Sequence, residues 1–86
     1  MPTAFTPNGD GKNDVWRIPE LEPFPLAIVE IYSRWGVLVF RSEPGYSNPW
    51  DGTSAGREMP MDSYYFIINF GKSNMKPLEG YVTLIR

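Results

Sequence analysis

An all-β fold, a small antiparallel β-sandwich of about seven strands, is predicted for this 86-residue chain by three observations. Segments rich in β-branched and aromatic residues recur roughly every ten residues, the spacing of short strands joined by turns. No stretch of helical length carries apolar residues at the three- and four-residue spacing of an amphipathic helix. Nine prolines and eight glycines are spread along the chain, which is the punctuation of frequent turns and not of a single flexible linker.

Residues 15–18 form a short apolar entry that reads as a first strand. Pro19, Pro23 and Pro25 exclude a helix around Glu20 and Glu22. Residues 26–32 (LAIVEIY) and 37–41 (VLVFR) read as two strands of a hairpin, with Gly36 taking positive φ in the loop between them. Pro44, Gly45 and Pro49 break the chain, and the run WDGT at 50–53 predicts a turn with Gly52 left-handed. Residues 64–70 (YYFIINF) carry the strongest strand signal, with Tyr64, Phe66, Ile68 and Phe70 on one face. Residues 80–86 (GYVTLIR) form a last strand with Val82 and Leu84 on one side. Several of these strands are apolar on both faces, which predicts central positions between two packed sheets. The expected whole is Ig-like in size and strand spacing.

A chain of this length buries only about 60% of the surface that its unfolded form exposes, so the core must be made of large side chains. Aromatic residues make up 15% of the sequence and supply it. The net charge of −2, with scattered Lys and Arg, excludes a footprint for nucleic acid or an anionic membrane. No apolar run is long enough to span a bilayer, so direct membrane insertion is not expected. Cysteine is absent, and no disulfide staples the fold. Met1 directly before Pro2 reads as an artificial start at a domain boundary, with the parent protein's targeting signal upstream of it.

The run FTPNGDGKND at 5–14 resembles a shortened calcium loop. With Gly11 as the bend glycine, Asn8, Asp10, the Lys12 carbonyl and Asp14 fall at alternate ligand positions. Thr6 then stands where a strong acid belongs, and Arg17 where a bidentate carboxylate belongs. Calcium is therefore an optional ligand, and no cofactor is required. The alternative is an ordered turn in which Asn8 and Asp10 accept backbone N–H groups.

Catalysis finds no support, and the chain is read as a non-enzyme. Neither His nor Cys is present, and no glycine-rich phosphate cradle occurs. The acids Asp10, Asp14, Asp51 and Asp62 read as solvated turn residues. Trp16, Trp35 and Trp50 fit either a sugar-stacking platform or core plugs, the second being the commoner use of tryptophan. Trp35 in the hairpin loop is the most exposed by this reading, and with Arg34 it is the first candidate for a partner contact.

Four segments, AFTPNGDGKND at 4–14, VEIYSRWGVLVF at 29–40, PWDGT at 49–53 and GREMP at 56–60 leading into SYYFII at 63–68, together with the closing GYVTLIR, resemble the gliding-motility-associated C-terminal domain. This is the type B sorting domain of the type IX secretion system of Bacteroidota. Asp62 and Ser63 stand where that family often has Gly and Thr. The resemblance covers nearly the whole chain and implies that residues 1–86 are a single sorting domain from a larger secreted or surface protein. It implies an address that takes its upstream cargo across the periplasm and through outer-membrane components to the cell surface or medium. Recognition is expected on the turn face carrying Arg34, Trp35, Gly36 and Trp50. A receptor strand added along Tyr81, Val82, Thr83, Leu84, Ile85 and Arg86 is the second expected mode. A carbohydrate-binding module and a passive Ig-like spacer are the rival readings.

Overall fold

The computed structural model describes residues 3–7, 9 and 14–86. The fold is all-β, as the sequence predicts, and the described residues form seven strands: β1 (Ala4–Phe5), β2 (Ile28–Tyr32), β3 (Leu38–Arg41), β4 (Thr53–Ser54), β5 (Arg57–Glu58), β6 (Asp62–Asn69) and β7 (Leu78–Leu84); β1, β4 and β5 are not placed from the sequence. Five of them form one sheet in the order β1-β7-β6-β2-β3, and β4 and β5 form a separate ribbon. All pairs are antiparallel except β1 with β7, where Ala4 and Phe5 run parallel beside Thr83 and Leu84.

Residues 15–18 are not a strand. The Trp16 N–H donates to the Trp50 carbonyl at 2.8 Å and so joins a cross-chain contact instead of a ladder, while the Trp16 and Ile18 side chains are buried. A three-residue 3-10 turn, Pro19–Leu21, follows. The prolines stop a longer helix, but Pro19 sits at its first position, where its missing N–H costs nothing. The hairpin between β2 and β3 forms as expected, with Gly36 at φ +79° and its N–H donating to the Ser33 carbonyl at 2.9 Å.

The alternation of β2, β6 and β7 separates two unlike faces. Val29, Ile31, Tyr64, Phe66, Ile68, Val82 and Leu84 point inward and are buried. They are covered by Trp16, Ile18, Leu21, Ala27, Tyr46 and Trp50, which lie outside the strands. The second layer of the sandwich is thus mostly loop, closed by the β4–β5 ribbon. The other face of the sheet carries Tyr32, Tyr65, Ile67 and Tyr81 and remains open. Apolar residues on both faces of a strand therefore do not mark a doubly covered sheet here; the second face is an aromatic surface.

Loop segments buried in a core must satisfy their backbone groups. Tyr46 does this for the cover: its hydroxyl donates to the Trp16 carbonyl at 2.5 Å and accepts the Trp50 N–H at 3.1 Å. Burial pushes the Tyr46 phenol well above its ordinary value. Burial, followed by the Asp62 charge, raises Tyr64, whose hydroxyl donates to the Pro60 carbonyl at 2.7 Å. A phenol held neutral in the folded state adds stability that is complete below the ordinary tyrosine value and is lost as pH rises through the raised one. Ultraviolet titration should therefore show Tyr46 and Tyr64 ionising only above pH 10.0, together with unfolding. Ionisation of Tyr46 and Tyr64 at or below that pH, with the fold intact, would contradict this packing.

Candidate functional site

Two clusters gather the motif residues. The first joins the two ends of the domain. The Arg86 guanidinium donates from Nε to the Met59 carbonyl at 2.8 Å, from Nη1 to the Pro7 carbonyl at 3.2 Å and from Nη2 to the Gly52 carbonyl at 3.0 Å. Nη1 also pairs with Glu58 Oε2 at 3.1 Å. The planar fork of arginine suits such divided duty, which a lysine could not reproduce. Gly52 is held at φ +83°, and a Cβ there would lie 3.0 Å from both Leu84 Cδ1 and Pro7 Cγ. The glycine of PWDGT thus admits both terminal segments. Asp51 Oδ1 completes the turn by accepting the Thr53 N–H at 3.1 Å.

The second cluster is a groove of about 730 Å³ on the open sheet face, lined chiefly by Tyr32, Arg34, Asp62, Tyr65, Ile67 and Tyr81. Register builds it: Tyr32 stands opposite Tyr65, and Tyr65 opposite Tyr81, so three neighbouring strands each contribute one ring to a row. Ring centroids lie 6.5 Å and 5.5 Å apart, with tilts of 45° and 60°. The Tyr65 hydroxyl donates to Glu79 Oε1, and this bond is the first cause of the raised Tyr65 phenol. Cross-strand aromatic pairs of this kind stabilise a sheet by about 0.2–1 kcal/mol each.

At one end of the row Arg34 clamps Asp62 through two bonds, Nη2 to Oδ1 at 2.9 Å and Nε to Oδ2 at 2.8 Å. The Arg34 bond, then the Ser63 N–H, holds the Asp62 carboxyl below its usual value. The pair links the β2–β3 hairpin loop to the start of β6. Arg34 also lies 5.4 Å over the ring of Trp35, which is 76% exposed at the hairpin tip. The tip itself is fixed, since Ser33 Oγ accepts the N–H groups of both Trp35 and Val37 at 3.3 Å.

The family model of the CHU_C type IX secretion signal domain matches residues 1–84. The chain belongs to that family. No curated protein sequence matches it. The family is one of secretion signals and not of enzymes, and membership implies export toward the cell surface or extracellular space.

Within this type IX signal domain the predicted recognition residues divide. Arg34, Trp35, Gly36 and Tyr81 are exposed beside or in the groove, and Thr83 is half-buried on the same face. Trp50 does not share that surface. It is 0% exposed and packs in the core, because the Gly52 turn folds it inward. Val82 and Leu84 likewise point into the core. The stretch from Val82 onward is not an open edge either: the Thr83 N–H donates to the Thr3 carbonyl at 2.8 Å and the Ile85 N–H to the Phe5 carbonyl at 3.0 Å. Ile85 is exposed, and Arg86 spends its guanidinium on the terminal junction. Of the calcium-loop residues, Asn8, Asp10 and Lys12 lie outside the described residues. Asp14 Oδ1 accepts the Gly9 N–H at 3.0 Å. Tyr32, Asp62, Tyr65 and Ile67 were not singled out for the site by the sequence reading. The signal for Tyr32, Tyr65 and Ile67 was the off-face alternation of the strands, but only the pairing register sets the three rings side by side; Asp62 has the parity of the buried Tyr64 and belongs to the groove through its bonds to Arg34.

Replacing Arg86 with Ala should lower the urea midpoint by an amount equivalent to about 1–2 kcal/mol, since several carbonyls lose their donor at once. Arg86→Lys should recover only part of this. A midpoint unchanged in Arg86→Ala would show that the terminal junction does not hold the fold together.

Proposed function

We propose that this domain is the type B address of a larger, upstream cargo protein in a gliding member of the Bacteroidota. On this reading it conducts the cargo from the periplasm through the type IX outer-membrane machinery by protein–protein recognition, and catalyses no reaction of its own. The observation that supports a recognition role is the open sheet face: the core side is fully covered, while the opposite side presents three tyrosines and a clamped Arg34–Asp62 pair. Exposed aromatic surface with a preorganised arginine beside it is the composition of protein-binding hot spots.

A row of rings is also what a carbohydrate-binding module would present. The tilts of 45° and 60° leave the three rings without a common plane, which favours irregular protein side chains over flat sugar faces.

The test fuses the domain to a periplasmic reporter in a type IX-competent strain. Tyr65→Ser with Tyr81→Ser, and separately Trp35→Ala, should reduce secretion about tenfold or more while circular dichroism keeps the β spectrum. Secretion undiminished by both would remove the open face from the recognition surface, and secretion equal without the domain would make it a passive spacer.

We also propose that calcium is not needed for the fold, a reading supported by the Gly9 N–H bond to Asp14 Oδ1 across the loop. The melting temperature should then be the same in millimolar calcium and in chelator; a rise with calcium would show that the native state binds the ion.

A further inference from the structure

The sheet has two lateral edges, and they are protected unequally. The outer edge of β3 is short, carries Arg41 and is distorted by a register shift opposite Ile31 and Tyr32, all devices that discourage strand addition. The β7 edge is different. Its register with β6 runs without a break from Leu78 to Leu84, but among the described residues β1 pairs only with Thr83 and Leu84. Leu78, Glu79, Gly80 and Tyr81 are thus flanked on one side by β6 and, among the described residues, by no strand on the other.

Backbone direction follows from the bonds already given. The N–H groups of Thr83 and Ile85 point to the β1 side, so by the alternation of a strand those of Tyr81 and Glu79 point the same way. The side chains of Glu79 and Tyr81 both stand on the open face. Any strand paired here would place two of its own side chains on that face, one beside Tyr81 and one, two positions away, beside Glu79. The first would continue the tyrosine row by one more residue. The second would meet a carboxylate. Of the acids on this face, Asp62 has Arg34 and Glu30 has Arg41 at 3.7 Å, whereas Glu79 has no cation among the described residues and shares only the Tyr65 hydroxyl.

We propose that the β7 edge at Leu78–Tyr81 accepts an extended segment of an export-machinery protein as an added strand, one carrying a Lys or Arg opposite Glu79 and an aromatic or β-branched residue opposite Tyr81. Main-chain bonds to Glu79 and Tyr81 supply the attachment, and the Glu79 charge with the Tyr81 ring supplies the selection. The added strand lies in line with β1 and spans about 13 Å at the rise of an extended chain. This inference rests on the sorting function proposed above and specifies its partner.

The test uses the same secretion reporter, joined through a linker of Gly and Ser only, so that no preceding strand former occupies the edge. Three variants separate the contributions. Glu79→Ala removes the carboxylate, Glu79→Pro removes in addition the outward N–H at a place where an edge strand tolerates proline, and Glu79→Gln removes the charge while keeping an acceptor for Tyr65. Export should fall about tenfold further in Glu79→Pro than in Glu79→Ala, and severalfold in Glu79→Gln, with melting temperatures close to that of the unaltered domain. Equal export by the proline and alanine variants overturns the proposal. Should the proline variant unfold, Glu79→Gln decides, because it leaves the backbone untouched; undiminished export by it overturns the proposal as well. Export lost with the Gly/Ser linker but regained with a strand-forming one assigns the edge to the chain's own upstream segment and also overturns it. Failure of the unaltered domain to export with either linker is a different result, which removes the sorting function itself.

Discussion

Trp50 is the side chain on which both layers of the molecule settle. Its ring lies 5.4 Å from Phe5, 5.2 Å from Tyr64 and 6.4 Å from Phe40, so it touches the first strand, the central strand and an edge strand at once. Its backbone meets Tyr46 and Trp16, and its indole N–H donates to the Thr53 carbonyl at 2.9 Å. A cover built from loops has no ladder of its own to hold it flat on a sheet. Here that work falls to a few aromatic side chains whose polar atoms close the loop backbone while their rings fill the core. Among the described residues no buried side-chain nitrogen or oxygen lacks a partner, which shows how completely these contacts replace a second regular sheet.

A thin cover has a consequence for the opposite side. With so little chain to spend, only one face of the five-stranded sheet is buried, and the other must be compatible with water. Phenol rings meet that demand better than phenyl rings, since the hydroxyl stays solvated or bonded while the ring shields the strands. The open face is thus both a structural surface, paired across three strands, and a chemically distinctive one. Its rings lean on one another and on Glu79, and Asp62 fixes the hairpin beside them. The same contacts that stabilise the sheet therefore fix the side chains of this surface against one another.

Much of this was legible in residue order. The hairpin glycine, the left-handed Gly52 and the buried alternation of Tyr64, Phe66 and Ile68 each follow from local rules and occur as read. Residues 15–18 misled because an apolar β-branched run looks alike whether it pairs in a ladder or lies across one; the difference is made by Trp50, more than thirty positions away. Trp50 was placed on the surface for the same reason, its neighbours in sequence being turn residues while its neighbours in space are not. The parallel contact of β1 with β7 has no local signature, and without it Val82 and Leu84 looked like an edge. The tyrosine row was invisible because three strands must adopt one register before Tyr32, Tyr65 and Tyr81 meet. What escaped the sequence is, throughout, what depends on distant pairing.

The pairing of β1 with β7 also brings together the most distant parts of the sequence. Residues at opposite ends of the domain must meet before the sheet is complete: Pro7 and Arg86, joined by one bond, are separated by 79 positions. Closing a loop of that length carries an entropic cost that the contacts at the junction must offset. A nascent or unfolded chain interrupted before residue 78 lacks β7 altogether and with it Tyr81, a third of the aromatic row. The finished open face therefore exists only where β2, β6 and β7 are all present and paired, and it is lost as a whole when one of the three is missing.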